Sequence, residues 1–183
     1  IFWYRKNNTI KKVEINFMIP EFFKIGFRKK DKDKFLILYD IGIYPISLIN
    51  HLNINVTNIK SIKKKIINRK FKILNKQFKS KKINFIINIG ESKNYRNNII
   101  FTNLNGTKLI FDKIFSGIKI KKKITNISKE KSNKISFVND HDCFKAFLTM
   151  NIKKLKSMKK NNLDLIKKNI YLFDLIKLKI NSN

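Results

Sequence analysis

The sequence predicts an α+β fold in which a three-strand meander is joined to C-terminal helices, preceded by a basic, partly helical extension. Polar and apolar residues alternate over 83–89, which is typical of a strand. Asn105-Gly106 predicts a tight hairpin, because this dipeptide accommodates positive φ. A helix is predicted where apolar residues recur at helical spacing. They are Phe144, Phe147, Leu148, Ile152, Leu155 and Met158.

The first 82 residues are predicted to form the extension. Residues 1–34 are irregular and basic, and 28–30 begin a charged loop that would face solvent or phosphate. Residues 35–70 are predicted to be helical, with Pro45 in a first turn, where its missing N–H costs nothing. Isoleucine and leucine residues at three-residue steps predict two short amphipathic helices. The first has Ile46, Ile49 and Leu52, and the second has Ile59, Ile62 and Ile66 among lysines 63–65.

The remaining residues, 83–183, are predicted to form the α+β domain. Its strands are expected at 83–89, 97–102 and 108–111, with the Asn-Gly turn between the last two. The segment 116–134 carries the densest positive charge. After the helix that ends near Met158, residues 163–166 are predicted as a strand and 170–180 as a last short helix.

Charge is the strongest indication of function. The chain has 42 lysines and arginines against 12 acids, a formal net charge of +30 and a pI near 10.3. A free domain would repel itself at this charge, so a polyanionic partner is expected. Hydrophobic residues make up 43% of the chain, which is enough to build a core rather than a disordered segment. Lysine greatly outnumbers arginine, which indicates A+T-rich coding and an organelle or parasite genome.

Catalysis has little support in the sequence. Asp140-His141-Asp142-Cys143 is the single cluster of catalytic residue types, but adjacent side chains point in different directions. Helix capping and burial explain it better. No phosphate-binding glycine motif is present, and one cysteine with two histidines does not make an ordinary zinc site. No apolar run approaches the ~18 residues needed to span a bilayer. The sequence therefore predicts a non-enzymatic protein without metal, cofactor or membrane span.

RNA is the polyanion that this pattern favours. Lysines neutralise phosphates independently of base sequence. Most phenylalanines lie on apolar stripes rather than at stacking positions, which indicates recognition of folded RNA by backbone and shape. The predicted contacts are basic and amide side chains from four segments. They are Arg28, Lys29, Lys30, Lys63, Lys64, Lys65, Arg96, Asn97, Asn98, Lys119, Lys121, Lys122 and Lys123.

One segment resembles a known family. Residues 97–109 (N-N-I-I-F-T-N-L-N-G-T-K-L), then Ser116-Gly117-Ile118-Lys119 and Lys121-Lys122-Lys123, resemble small-subunit ribosomal protein eleven. That family has N-N-T-I-V-T, a D-x-x-G-N hairpin, S-A-G and a basic G-F-K-G loop, whereas its T-P-(F/Y)-A-A helix start and H-N-G-C-R-P tail are absent here. The resemblance implies a ribonuclease-H-like topology without catalysis, a place on the small-subunit platform, and rRNA held by the loop around Gly117.

A second resemblance competes with the first. Residues 38–43 (L-Y-D-I-G-I) and 86–90 (I-I-N-I-G) followed by Tyr95-Arg96 are similar to small-subunit ribosomal protein thirteen, whose R-G-Q-R-T tail does not follow here. The predicted function is a structural constituent of an organellar ribosome, in the mitochondrion or else the apicoplast or another plastid. It would bind rRNA and neighbouring ribosomal proteins rather than act as a free monomer. The alternatives are a stand-alone organellar RNA-processing factor and a basic subunit of a membrane complex.

Overall fold

A mixed sheet of eight strands forms the centre of the fold. The computed structural model describes residues 9–24, 26–51, 54, 56, 59–67, 70–80, 82–115, 121–128, 131–138 and 163–181. The strands are β1 (Ile10–Ile19), β2 (Ile59–Ile67), β3 (Lys70–Ser80), β4 (Ile83–Glu91), β5 (Arg96–Asn103), β6 (Lys108–Asp112), β7 (Lys121–Ile127) and β8 (Ser132–Val138). Their order across the sheet is β2-β3-β4-β1-β5-β6-β7-β8. β1 and β4 run parallel, and the other neighbouring strands run antiparallel.

Three helices pack against one face of this sheet. They are α1 (Leu36–Asp40), α2 (Ile43–His51) and α3 (163–181), and two short 3-10 helices, Phe22–Lys24 and Gly26–Lys29, lie between β1 and α1. Each helix directs apolar side chains at the sheet, as an amphipathic helix must in order to bury its stripe. The buried helical side chains are Leu36, Ile37, Leu38, Ile46, Ile49, Leu172, Ile176 and Ile180.

The core lies between these helices and the sheet. Alternate residues of β1 face it, so Val13 and Ile15 are completely buried and Phe17 nearly so. The rings of Phe78 on β3 and Phe85 on β4 are stacked with centroids 4.9 Å apart. Strands that pack on one face in this way need only one apolar side, and the other side is free to be polar.

A polar contact joins α2 to α3 inside the apolar layer. Asn169 on α3 is 8% exposed, and its Oδ1 accepts a hydrogen bond from Asn50 Nδ2 at 2.7 Å. Its own Nδ2 donates to Ser47 Oγ at 3.0 Å. Because both ends of the buried amide are satisfied, it fixes the two helices against each other without a desolvation cost.

Four asparagine side chains and one aspartate side chain form a row across five strands on the opposite face of the sheet. Asn88 Nδ2 donates to Asn16 Oδ1 at 2.7 Å, and Asn16 Nδ2 donates to Asn98 Oδ1 at 2.9 Å. Asn75 donates to Asn88 at one end, and Asn98 reaches Asp112 at 3.5 Å at the other. These residues occupy directly paired positions on neighbouring strands. We call them the amide row.

Replacing Asn16 with alanine is expected to destabilise the protein by about 3 kcal/mol, because Asn88 and Asn98 would each lose a buried partner at about 1–3 kcal/mol. Asn16 is itself only 3% exposed. Chemical denaturation would measure the change. Asn84→Ala is the matched control, since Asn84 is exposed on β4. Equal costs for the two substitutions would contradict a stabilising role for the amide row.

The predicted ribonuclease-H-like fold with a helical extension is wrong. β1, β2 and β3 lie within residues 1–82 and belong to the same sheet as the later strands. β1 falls in the segment predicted as irregular, and it separates β4 from β5, so the three predicted strands are not a meander. The Asn105-Gly106 turn between β5 and β6 is present: Asn103 N–H donates to Thr107 O at 2.9 Å, and Gly106 has φ +84°.

The helical prediction for 35–70 is correct for α1 and α2 and wrong for Ile59–Ile67, which is β2. Isoleucine favours strands because its branched side chain is stiff. β2 lies at the edge of the sheet, where exposed lysines discourage pairing with another chain, so its lysines also fit a strand. The predicted strand at 163–166 is instead the first part of α3.

Some predictions lie outside the described residues. The Asp140–Cys143 cluster, the apolar stripe from Phe144 to Met158, Gly117 and Lys119 all belong to this group. Within the part of the chain that the structure describes, no helix is long and apolar enough to cross a membrane.

Candidate functional site

The residues predicted to bind RNA are spread over several surfaces. Arg28 is half-buried, with its guanidinium 4.6 Å from the ring centroid of Phe22, and it pairs with Asp40. Lys29 and Lys30 follow it and are exposed. Arg28 therefore stabilises the packing after β1, and only its two neighbours are open to a ligand.

The three lysines of β2 are exposed but face different sides of the sheet. Lys64 Nζ donates to the carbonyl of Ile180 at 2.9 Å and so satisfies the last turn of α3. In the register of β2 and β3, Lys63 lies opposite Asn75 and Lys65 lies opposite Ile73. This register places Lys63 and Lys65 on the face of the sheet that carries the amide row. Only Lys65 also lines the cleft described below.

The β5 residues have distinct roles. Asn97 is 4% exposed, and its Oδ1 accepts a hydrogen bond from Phe115 N–H at 2.8 Å, so it holds the chain after β6. Asn98 belongs to the amide row, and Arg96 is exposed. In the lysine-rich segment, residues 121–123 lie in β7 and Lys123 is exposed.

An open cleft of about 690 Å³ lies where β1 and β4 end. Because these strands are parallel, their carboxyl ends meet at one edge of the sheet, which is where open α/β sheets commonly bind ligands. The lining residues come from the ends of β1 and β4 and from the neighbouring part of β2 and β3. They are Pro20, Glu21, Lys24, Lys65, Lys72, Ile73, Glu91, Ser92 and Lys93.

Glu91 positions two neighbouring groups of the cleft through hydrogen bonds. Its Oε1 accepts a hydrogen bond from Lys72 Nζ at 2.9 Å, and its Oε2 accepts one from Phe23 N–H at 3.2 Å. Burial alone would raise the pKa of Glu91, but these hydrogen bonds, with the charges of Lys72 and Lys24, outweigh burial and lower it. Glu91 is therefore a carboxylate at neutral pH, and it positions Lys72 and the 3-10 helix after β1.

The remaining charges leave the cleft positive. Lys24 Nζ donates to Glu21 Oε1 at 2.6 Å, and this hydrogen bond raises the pKa of Lys24. Among the described residues, Lys65 and Lys93 have no ion pair. Four lysines against two glutamates give the lining a net charge of +2. Such an arrangement attracts an anion, and the two unpaired ammonium groups are available to contact it.

A glycine at the end of β4 allows the strands beside the cleft to approach closely. Gly90 has φ +152°, and a Cβ at this position would lie 2.3 Å from the carbonyl oxygen of Lys72. Glycine can occupy such a position because it has no Cβ. This close contact places Lys72 opposite Glu91, so the backbone geometry at Gly90 supports the ion pair of the cleft.

A second unusual lysine lies in the core rather than in the cleft. Lys76 on β3 is 5% exposed, and burial lowers its pKa to about 7. Neither Lys76 nor most of the cleft was recognised from the sequence. Lys72, Leu74, Lys76 and Phe78 are spaced two residues apart, and this period was the available signal that these four side chains share one face of a strand.

Comparison with solved structures finds strong matches over nearly the whole chain. A point mutant of KijD10, a 3-ketoreductase from Actinomadura kijaniata in complex with TDP-benzene and NADP, has a TM-score of 0.70 at 14% identity, over 97% of this chain and 57% of that one. The dehydrogenase MviM from Clostridium difficile has a TM-score of 0.69 at 12% identity, over 100% and 57%. The fold is shared with known oxidoreductases. No protein-family model and no curated protein matches the sequence.

These matches overturn the ribosomal interpretation. The predictions of ribosomal protein eleven or thirteen, of rRNA and ribosomal proteins as partners, and of a non-enzymatic protein are wrong. An Asn-Gly hairpin followed by lysines can occur at the edge of any antiparallel sheet, so it does not identify a family. The origin of the lysine excess in A+T-rich coding stays a prediction from composition. The chain spans about half the length of the structures it matches.

Among the described residues, no group of three His, Cys, Asp or Glu side chains could hold a metal ion. No observation tests the RNA contacts that the sequence predicted at these basic residues, which are Lys29, Lys30, Lys63, Arg96, Lys121, Lys122 and Lys123. In the described fold, the cleft combines a positively charged lining, a concave shape and a position at the ends of two parallel strands. It is therefore the candidate site.

Proposed function

We propose that this chain is part of a nicotinamide-dependent oxidoreductase, in which it supplies the substrate-binding side. The observation that carries the proposal is the fold match over nearly the whole chain to a 3-ketoreductase that binds NADP and a TDP compound. A match at 14% sequence identity shows the fold alone. The proposed activity therefore also depends on the charge and shape of the cleft.

The described sheet differs from a dinucleotide-binding domain. Such a domain has a mostly parallel, doubly wound sheet and a glycine-rich loop after its first strand. Here one strand pair is parallel among the described strands, and the sequence has no G-x-G-x-x-G motif. The described part of the chain therefore fits the side of an oxidoreductase that holds the substrate.

The cleft favours a phosphate-bearing substrate. Its volume of about 690 Å³ is in the range of small-molecule sites. Lys65 and Lys93 can contact a diphosphate, while Glu91 holds Lys72 towards the same space. A nucleoside diphosphate linked to a keto sugar has the required negative charge on its diphosphate. Its sugar carries a carbonyl group that can accept hydride, at some distance from the lysines that would hold the diphosphate.

Changing Lys65 and Lys93 together to glutamine is expected to weaken binding of dTDP about tenfold, because each solvent-exposed charge pair contributes about 0.2–1 kcal/mol and a tenfold change corresponds to about 1.4 kcal/mol. The salt dependence of binding should also decrease. Titration calorimetry at several salt concentrations would measure both. In the intact enzyme, the same change should raise KM for the nucleotide-linked sugar with little effect on kcat.

The matched control is Lys79→Gln with Lys131→Gln. Both residues are exposed and neither lines the cleft, so the control makes the same change in net charge. Equal weakening in both double variants would show that only total charge matters and would contradict the cleft as the binding site. Failure of the wild-type chain to bind dTDP would contradict the proposed substrate class.

A further inference from the structure

We propose that Asn105 is a site of self-modification, at which the backbone nitrogen of Gly106 displaces the side-chain amide and leaves aspartate or isoaspartate. This site is separate from the cleft and does not depend on the proposed oxidoreductase function. Three features of the hairpin support it. They are the exposure of Asn105, the open space beside Gly106, and a backbone N–H that is hydrogen-bonded to the oxygen of the Asn105 side chain.

Asn105 and Gly106 lie at the tip of the hairpin between β5 and β6, and both are exposed. A Cβ placed on Gly106 would have no atom of a non-adjacent residue within 4 Å, so the space beside the attacking nitrogen is open. Because glycine has no side chain, it does not shield its own nitrogen from the side chain that precedes it. The nitrogen and the carbon that it attacks belong to consecutive residues, and joining them closes a five-membered ring.

Thr107 supplies a hydrogen bond that promotes the attack. Its N–H donates to Asn105 Oδ1 at 3.0 Å. When a nucleophile adds to Cγ, negative charge develops on Oδ1, and a donor that is already in place there lowers the barrier, as in an oxyanion hole. The same hydrogen bond also holds the carboxamide in one orientation, which reduces the entropy lost in reaching the transition state.

One contact opposes the attack. Gly106 N–H donates to the carbonyl oxygen of Asn103 at 3.1 Å, and this hydrogen bond must break before the nitrogen can react. Because Gly106 is exposed, water can take the place of the lost acceptor, and the net cost of breaking the bond is small. The arrangement at Oδ1 therefore outweighs the contact at the nitrogen.

The reaction needs only water. Gly106 N loses its proton to solvent and forms a bond to Asn105 Cγ, the Cγ–Nδ2 bond breaks, and Nδ2 takes a proton from solvent and leaves as ammonia. Water then opens the cyclic imide. Addition of water at Cγ leaves aspartate, whereas addition at the main-chain carbonyl carbon leaves isoaspartate, in which the backbone runs through Cγ. Neither oxidant nor reductant takes part.

The products would alter a turn that holds two parts of the sheet. Either product adds a negative charge at the tip. Isoaspartate also lengthens the main chain between Asn103 and Thr107, where the N–H of the first donates to the carbonyl oxygen of the second at 2.9 Å. Leu104 N–H donates to the carbonyl oxygen of Thr9 at 2.8 Å, so the same turn holds the residue that precedes β1.

The test is peptide mass spectrometry of the full chain after incubation in mildly alkaline buffer, with isoaspartate identified by electron-transfer fragmentation. Asn94 is the internal control, because it is exposed in the loop between β4 and β5 and is followed by the bulky Tyr95. We expect Asn105 to be converted at least about tenfold faster than Asn94, a ratio that corresponds to about 1.4 kcal/mol in the barrier.

Unfolding separates the contribution of the structure from that of the Asn-Gly sequence. In denaturant the hydrogen bonds of Thr107 N–H and Gly106 N–H are both lost, whereas the sequence is unchanged. We expect Asn105 to react at least as fast in the folded chain as in the unfolded chain. A slower reaction of Asn105 in the folded chain, or equal rates at Asn105 and Asn94 in the folded chain, would overturn the proposal.

Discussion

Replacing Lys76 with methionine is expected to stabilise the protein at neutral and mildly acidic pH, and it is the largest effect that we predict. Methionine keeps the length of the side chain and removes the charge that the core cannot solvate. Burial lowers the pKa of Lys76 from 10.5 to about 7. This difference corresponds to a free energy on the order of 5 kcal/mol.

The effect has a definite pH dependence. The unfolded chain binds a proton at Lys76 up to its ordinary pKa, whereas the folded chain releases that proton near pH 7. Between these values the unfolded state binds more protons, so the stability of the wild type rises as pH increases. The destabilisation is fully present below pH 7 and disappears above the unfolded pKa. The gain from Lys76→Met should therefore be large at pH 6 and small at high pH.

Denaturant unfolding of the wild type and the variant from pH 6 to pH 10 would measure this difference. Lys79→Met is the matched control, since Lys79 is exposed on the same strand and its replacement should change neither the stability nor its pH dependence appreciably. A difference between wild type and Lys76→Met that stays constant over the pH range would show that Lys76 is not buried as a neutral amine.

Replacing Gly90 with alanine is expected to destabilise the protein on the order of 4 kcal/mol, because strain from overpacking adds to strain from an unfavourable φ. The new Cβ would lie 2.3 Å from the carbonyl oxygen of Lys72, a backbone atom that can move only if β3 moves. Displacement of β3 at this point should also weaken the ion pair of Lys72 with Glu91, so dTDP binding should decrease as well.

Gly106→Ala separates the two causes. Gly106 also has positive φ, but nothing lies within 4 Å of the position that its Cβ would occupy. This control should show only the backbone cost, about 1–2 kcal/mol. Thermal or chemical unfolding of both variants would measure the costs. If Gly90→Ala cost no more than Gly106→Ala, the close approach of β3 and β4 would have no energetic consequence.

The local elements of the fold were partly predictable. The Asn105-Gly106 turn, the strands on either side of it and the helices around Pro45 follow from turn chemistry and hydrophobic spacing, both of which act over a few residues. The strand at Ile59–Ile67 was mistaken for a helix, because its isoleucines recur at three- and four-residue steps, which match helical spacing. Register shifts between Ile59 and Ser61 and between Lys65 and Ile66 interrupt the two-residue alternation that would have indicated a strand. The stiffness of isoleucine at χ1 was the physical signal that favoured a strand.

The candidate site was much less predictable. Lys65 was selected for its charge and does line the cleft, whereas Lys24, Lys72 and Lys93 were not distinguished from the other lysines. With so many lysines in the chain, charge alone cannot identify those that share a surface. Arg28 and Lys64 were expected to face RNA, but they pair with Asp40 and with the carbonyl of Ile180. The organellar location remains a prediction from composition.

The basic character of the protein, its capacity for a hydrophobic core and its short-range elements could be predicted, because these depend on residue type and on neighbours along the chain. The position of β1 between β4 and β5, the cleft at the ends of β1 and β4, and the burial of Lys76 beside an exposed Lys79 became visible in the folded chain alone. The reason is that strand pairing joins segments far apart in the chain, such as Asn16 with Asn88 and Asn98. Local patterns show which face of a strand is apolar, but not which strand will lie beside it.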